Sequence, residues 1–191
     1  MNVKKLALGA YQTNCYLLFN DTEALVSDPG YEADTILDAL QGRKLRAILL
    51  TQGHFDHVGA VKELVAETGC DVYLHPAEAT MPPMMTAGQL YYTKSYGEGS
   101  RLQLAGLDIS VLHTPGHTPG SVCLLVDEHI FSGDTLFAGS CGRTDLPGGS
   151  WATILKSLKR LASIEGNFWV HPGHGGSSTL RDEKKYNPYM Q

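Results

Sequence analysis

Short apolar runs separated by polar turns dominate the first half of the chain and predict an alternation of strands and helices. Asn20-Asp21 marks a tight turn between two of these runs. Gly42 and Gly69 follow runs of helical spacing and are typical helix ends. The predicted strands are 3–8, 14–20, 23–28, 46–50 and 72–74, and the predicted helices are 32–41, 58–68 and 75–78.

The second half returns to strand character after a long interruption. Its alternating apolar runs are joined by tight turns, which favours antiparallel pairing. Residues 151–162 place Ile154, Leu155, Leu158 and Leu161 on one helical face. The predicted strands are 101–104, 107–113, 121–126, 129–132 and 168–170, and the predicted helices are 151–162 and 180–185.

Residues 81–99 have no clear periodicity and contain Pro, Met and Tyr residues. A long irregular segment in a compact protein is often a lid or a binding loop. The alternative is a surface excursion that packs its own aromatic side chains. On the first interpretation, Tyr91, Tyr92 and Tyr96 are candidates for the wall of a pocket.

Size and composition indicate a soluble globular protein. The 191 residues fit a single domain spanning 1–191, and 42% hydrophobic with 18% charged residues is ordinary for that class. A net charge of −5 argues against a nucleic-acid partner or an anionic membrane surface. No apolar stretch approaches the ~20 residues of a membrane helix. Four scattered cysteines without a Cys-x-x-Cys pair, and a start unlike a signal peptide, favour the cytoplasm.

The segment Thr51-Gln52-Gly53-His54-Phe55-Asp56-His57 lies between the predicted strand 46–50 and the following helix. In open α/β sheets, ligands bind outside the carboxyl ends of strands. Two imidazoles and a carboxylate are costly to bury unless a positive charge pairs with them. A divalent metal ion is the natural partner for this donor set.

Three further polar turns follow apolar runs in the same way. They contain His113-Thr114-Pro115-Gly116-His117, Ser132-Gly133-Asp134 and His171-Pro172-Gly173-His174. Each has a candidate ligand next to a glycine, where the backbone can turn tightly. Four such turns predict one shared metal centre at an edge of the sheet.

The motifs Thr-x-x-His-x-Asp-His, Pro-Gly-His-Thr, Ser-Gly-Asp and Pro-Gly-His-Gly, in this order, resemble those of the metallo-β-lactamase superfamily. Gly142-Arg143-Thr144-Asp145 and the Asn187-Pro188 ending are similar to the small bacterial glyoxalase II-like hydrolases. This resemblance implies an α/β fold, a four-layer αββα sandwich of two mixed β-sheets flanked by helices. It also implies a binuclear site that usually holds zinc and sometimes iron or manganese.

The resemblance also assigns candidate metal ligands. They are Asp56, His57 and His174 for the second site, His54 and His117 for the first, and Asp134 as the bridge between them. The family has histidine where this chain has Gln52, whose amide is a poorer ligand than imidazole. We therefore expect one well-held zinc ion and a second that is weak or absent. Three explanations for Gln52 stay open. It is a natural change, a deliberate substitution that traps substrate, or an amide that is hydrogen-bonded within its own turn.

The implied chemistry is thioester hydrolysis by metal-bound hydroxide, with Asp56 as both ligand and orienting group. S-lactoylglutathione or a related acyl thiol is the expected small-molecule substrate, and Arg143 is the candidate contact for a thiol carboxylate. The alternatives are an iron enzyme resembling persulfide dioxygenase and a metal-poor, catalytically impaired member. A monomer or small homo-oligomer is expected.

The other four histidines match no ligand position of the family. We expect His75, His113, His129 and His171 to be exposed or hydrogen-bonded residues. His113 and His171 lie close in sequence to ligands and are candidates for outer partners of the metal ligands.

Overall fold

The computed structural model describes residues 1–86 and 88–191. Two six-stranded mixed sheets lie face to face, with helices on both outer surfaces. The predicted four-layer αββα sandwich is therefore confirmed. The helices are α1 (Ala33–Leu40), α2 (Phe55–Val58), α3 (Val61–Thr68), α4 (Trp151–Ala162) and α5 (Leu180–Tyr186), with a short 3₁₀ helix at Pro76–Thr80.

The first sheet contains its strands in chain order, β1 to β6. The β1–β2 and β2–β3 pairs are antiparallel, whereas β3, β4, β5 and β6 run parallel. The central parallel strands β3 and β4 are covered on both faces, which explains the apolar run in each, whereas the edge strand β6 is exposed. The strands are β1 (Asn2–Leu8), β2 (Thr13–Phe19), β3 (Glu23–Ser27), β4 (Lys44–Leu49), β5 (Asp71–Leu74) and β6 (Lys94–Ser95).

The second sheet has the order β14-β13-β10-β9-β8-β7. Its pairs from β7 to β10 are antiparallel, as the alternating runs predicted, and β10 pairs with β13 in parallel. A small hairpin of β11 (Leu136–Phe137) and β12 (Ser140–Cys141) stands apart. The sheet strands are β7 (Arg101–Leu104), β8 (Leu107–His113), β9 (Val122–Val126), β10 (His129–Gly133), β13 (Trp169–Pro172) and β14 (Ser178–Thr179).

Three apolar cores lie between the four layers of the sandwich and hold them together. Ile36 and Leu64 join α1 and α3 to the outer face of the first sheet. Leu25 and Phe131 lie between the sheets, and Leu158 of α4 covers the outer face of the second sheet. The alternation of apolar side chains therefore fixes which strand ends come together.

The predicted helix 58–68 is divided into α2 and α3 at Gly59. The chain at Pro29 and Gly30 passes directly over this break, and Ala60 N–H donates to Pro29 O over 3.0 Å. A Cβ on Gly59 would stand 2.2 Å from Gly30 O. The prediction of one continuous helix was wrong because this close backbone contact depends on a distant segment.

The segment 81–99 does not place its tyrosines at a pocket near the candidate ligands. Tyr96 is buried between the sheets and donates its hydroxyl to Leu50 O over 2.8 Å. Tyr91 lies near α3, and Tyr92 packs against the apolar core on the outer face of the first sheet. The predicted tyrosine wall was wrong, since strand pairing at β6 draws this segment into the first sheet. Residue 87 of this prediction lies outside the described residues.

None of the helices in the described ranges is both long and apolar enough to cross a lipid bilayer.

Candidate metal centre

Four polar turns meet at one end of the two sheets. They follow β4, β8, β10 and β13, and each carries at least one of the predicted ligands. The carboxyl ends of β4 and β10 are brought together because the two sheets face each other there. The side chains that meet are those of His54, Asp56, His57, His117, Asp134 and His174.

Asp56, His57 and His174 form the tightest donor set. One ligand atom from each lies within 4.8 Å of the others. Asp56 Oδ2 is 3.2 Å from His174 Nε2 and 3.7 Å from His57 Nε2. These are the three residues that the resemblance assigned to the second site.

His54 and His117 form an adjacent pair that corresponds to the first site. His54 Nδ1 lies 3.0 Å from His117 Nε2. Asp134 stands between the pair and the triad, with Oδ2 3.4 Å from His117 Nε2 and Oδ1 3.5 Å from His57 Nε2. Its position fits a carboxylate that bridges two ions.

Gln52 is buried and points into the same cluster. Its Nε2 lies 2.8 Å from His57 Nε2, while its Oε1 has no hydrogen-bond partner among the described residues. The amide therefore contacts the nitrogen of His57 that faces both carboxylates. Gln52 thus forms a hydrogen bond inside the cluster rather than turning away to the surface.

The outer nitrogens of His117 and His174 have backbone oxygen partners, and the outer nitrogen of His57 makes an ion-pair contact with a carboxylate. His57 Nδ1 lies 3.2 Å from Asp28 Oδ2, His117 Nδ1 is 2.7 Å from Arg143 O, and His174 Nδ1 is 3.1 Å from Tyr11 O. An acceptor on the outer nitrogen fixes the ring and leaves the inner lone pair for a metal ion. The sequence analysis missed Asp28, although it follows a strand just as the predicted ligands do.

Glu78 connects two of the ligand turns and was also missed. Its carboxylate is fully buried and accepts from Gly53 N–H over 2.5 Å and from Gly120 N–H over 2.6 Å. Gly53 precedes His54, and Gly120 closes the turn that begins at His117. Glu78 therefore fixes the separation of the two first-site histidines.

The electrostatics of the cluster favour ionised carboxylates. Burial alone would raise the pKa of Asp56, but the hydrogen bond from His174 and the charge of His57 hold that pKa below its usual value. The pKa of Asp134 is lowered in the same way by His57 and His117 against the effect of burial. Burial and the neighbouring His117 lower the pKa of His54 to about 4, so its imidazole is neutral at pH 7.

These residues fit a metal ion. Asp134 Oδ1 is buried without a hydrogen-bond partner among the described residues. Gly173 lies so near this oxygen that a Cβ there would stand 2.2 Å from it. Imidazole nitrogens and carboxylate oxygens are the donors that zinc, iron and manganese accept.

A cavity of about 560 Å³ opens over the cluster. Its apolar lining comes mainly from Tyr11, Phe55, Met85, Phe137 and Leu146. Arg143 also lines the cavity, and its guanidinium forms two 2.7 Å hydrogen bonds with Asp145. Sequence analysis anticipated Arg143 here but none of the apolar side chains.

The four remaining histidines form two pairs outside the cluster. The rings of His75 and His113 stack with centroids 4.2 Å apart. His129 Nδ1 lies 2.8 Å from His171 Nε2. Among the described contacts, neither His113 nor His171 is a partner of a candidate ligand side chain.

Comparisons with known proteins point to one family. A family model for the metallo-beta-lactamase superfamily matches residues 8–174. The hydroxyacylglutathione hydrolase GloC of Haemophilus influenzae is 32% identical, over 100% of this chain and 98% of that protein. The BLEG-1 B3 metallo-beta-lactamase has a TM-score of 0.93 and 34% identity over the whole of both chains. TTHA1623 in a di-iron-bound form has a TM-score of 0.85 and 40% identity over 97% of this chain and 99% of that one.

Proposed function

The chain belongs to the metallo-β-lactamase superfamily, and we propose that it is a metal-dependent hydrolase of thioesters. The observation that carries this proposal is the buried set of imidazoles and carboxylates at the floor of an open cavity. When bound there, a divalent ion lowers the pKa of water and stabilises negative charge on a substrate oxygen. Zinc or iron suits the donor set, and the di-iron form of TTHA1623 supports iron as an alternative to zinc.

Asp56 is the chain's own candidate for holding the attacking water. Thr13 Oγ1 donates to its Oδ2 over 3.1 Å, which fixes the orientation of the carboxylate. Its lowered pKa keeps it ionised at neutral pH, so it can accept a hydrogen bond from water in the cavity.

A side-chain nucleophile is the less favourable mechanism. Cys141 lines the cavity, but burial raises the pKa of its thiol. A thiol with a raised pKa is protonated near neutral pH and is a weak nucleophile. Attack by water therefore fits the cavity better than a covalent acyl-enzyme route.

The thioester assignment draws on GloC, a hydroxyacylglutathione hydrolase that aligns with the full length of this chain. A second candidate is lactam hydrolysis, because BLEG-1 superposes over the whole of both chains. Both reactions place a tetrahedral oxyanion at the same point, so the cluster alone serves either.

Hydrolysis assays on the metal-loaded protein separate the two candidates. Thiol release from S-lactoylglutathione and from simple acyl thioesters is measured beside ring opening of a β-lactam. We expect thiol release at a higher kcat/KM than lactam opening, with loss of both after treatment with a chelator. Lactam opening without thiol release would replace the proposal with its rival.

A further inference from the structure

An exposed apolar wall borders the metal centre. Tyr11 and Phe55 contact edge to face, with ring centroids 5.3 Å apart. Phe55 N–H donates to Met85 O over 2.9 Å, which fixes the third member of the wall. Tyr11 is 60% exposed, and all three side chains line the cavity over the cluster. Grouped apolar side chains in contact with water usually mark a place where another molecule binds.

This wall, defined as Tyr11, Phe55 and Met85, is attached to the ligand turns. Phe55 lies in sequence between His54 and Asp56. The carbonyl oxygen of Tyr11 accepts the hydrogen bond from His174 Nδ1. A substrate whose reacting carbon sits at the metal centre therefore has part of its length beside this wall.

The cavity offers little positive charge to an anionic substrate. Among the described residues, Arg143 is the one lysine or arginine that lines it. Both of its hydrogen bonds to Asp145 are 2.7 Å long, so an incoming carboxylate has to compete with Asp145. A glutathione thioester carries two carboxylates and one ammonium group, which this lining leaves largely unpaired.

We propose that the cavity selects thioesters of uncharged thiols whose apolar acyl arm packs against Tyr11, Phe55 and Met85. The inference rests on the proposed hydrolase function and specifies the substrate class of the same site. The acyl arm is of medium-chain or arylalkyl size, because a cavity of about 560 Å³ is within the range that holds a drug-sized molecule. The reaction itself is unchanged: water adds to the acyl carbon, the C–S bond breaks, and the thiol takes the remaining proton.

Two substrate series test this inference. In the first, the acyl group grows from acetyl to butyryl to hexanoyl on the uncharged thiol N-acetylcysteamine. In the second, hexanoyl is carried either by N-acetylcysteamine or by glutathione. We expect kcat/KM to rise about fourfold for each added methylene, as apolar burial predicts. We also expect the hexanoyl ester of the uncharged thiol to exceed that of glutathione.

A matched pair of variants tests whether the wall causes the dependence of kcat/KM on acyl length. Tyr11→Ala removes an aromatic ring that lines the cavity and is 60% exposed, while Tyr186→Ala removes one of similar exposure, 67%, on α5. Tyr11→Ala is expected to lower the ratio of kcat/KM for the hexanoyl ester to that for the acetyl ester at least about threefold. Tyr186→Ala is expected to leave this ratio unchanged. Bound metal is measured in each variant, because His174 contacts the backbone of Tyr11 and that contact should persist.

The outcomes separate this inference from the proposed function. Thiol release that is equal for all acyl lengths, or fastest for glutathione esters, overturns the apolar selection and leaves the hydrolase proposal standing. Equal effects of Tyr11→Ala and Tyr186→Ala also overturn it. No thiol release from any ester overturns both proposals together.

Discussion

The side-chain nitrogen of Gln52 lies 2.8 Å from Nε2 of His57, the ring atom that faces Asp56 and Asp134. A metal ion on His57 has to replace this hydrogen bond. The sequence-based expectation treated Gln52 either as a lost ligand of the first site or as an amide bonded within its own turn, and the contact with His57 lies within that turn. Its position gives it a second effect, because it also competes with metal for the second site.

Replacement of Gln52 by histidine tests this relationship. Gln52→His should bind a second ion, and metal affinity at the weaker site should rise at least about tenfold, the scale on which outer-shell changes alone act. Thioester turnover should rise with it, since more positive charge then faces the developing oxyanion. Calorimetric zinc titration with parallel thioester assays gives both quantities.

Gln52→Ala is the control for that substitution. It frees His57 without adding an imidazole, so it should strengthen the single tight site and should not create a second one. Equal stoichiometry and rate in the wild type and in Gln52→His would contradict the role assigned to Gln52.

Asp28 is expected to control metal affinity through His57. Its carboxylate lies 3.2 Å from His57 Nδ1 and accepts hydrogen bonds from Thr51 N and Thr51 Oγ1 at 2.8 and 2.6 Å. Asp28→Asn should lower metal affinity about 10- to 100-fold. Asp127→Asn is the matched control, since both aspartates have a positive φ, 51° and 49°, and Asp127 lies in the turn between β9 and β10. Comparable metal affinity in the two variants would show that Asp28 has no such role.

Glu78 is expected to matter more for the first-site pair than for the triad. Glu78→Gln would turn an amide N–H₂ toward one of the two backbone donors, Gly53 or Gly120, and push the turns apart. We expect a loss of about 1–3 kcal/mol in unfolding free energy and loss of the weaker metal ion, with the tighter ion retained. The control is Glu183→Gln, another buried carboxylate that accepts from Gly139 N–H and Asn187. If both variants change stability and metal content alike, Glu78 is a general structural residue only.

His171 should make stability depend on pH. Burial, followed by the neighbouring His129, lowers its pKa from 6.5 to about 4. The unfolded chain therefore binds a proton between pH 6.5 and 4 that the folded chain does not, so folding stability is present above pH 6.5 and falls as the pH decreases towards 4. We expect His171 to change the unfolding free energy by about 1–2 kcal/mol across this pH range, after allowance for its partial exposure.

Urea unfolding of the wild type and His171→Asn measures this contribution. The substitution should cost more stability at pH 7.5 than at pH 4.5. A difference between the two proteins that is constant across this range would show that His171 does not titrate in this way.

The residues that carry the metal motifs could be predicted because histidine or aspartate beside glycine recurs after four separate apolar runs. Their order along the chain then indicated the family and, through it, the sandwich. Asp28 and Glu78 could not be assigned by the same reasoning. Their partners are the outer nitrogen of His57 and two backbone amides, and those contacts arise only after distant turns have packed together.

The apolar wall was missed for a similar reason. Tyr11 and Phe55 are 44 positions apart in the numbering yet touch edge to face beside the ligands. Local composition alone favoured the tyrosines at 91, 92 and 96 as the aromatic lining of the cavity. Pairing of β6 with β5 removes them from the cavity.

The central claim is that loops distant in sequence bind a metal ion that makes water reactive. Its most direct test is a titration of zinc or iron(II) into chelator-treated protein, with bound metal and thioester hydrolysis followed in the same samples. We predict no activity without metal and activity that rises in step with occupancy of the first tight equivalent. Hydrolysis that is unchanged by chelation, or a protein that binds no metal at micromolar concentration, would contradict the claim.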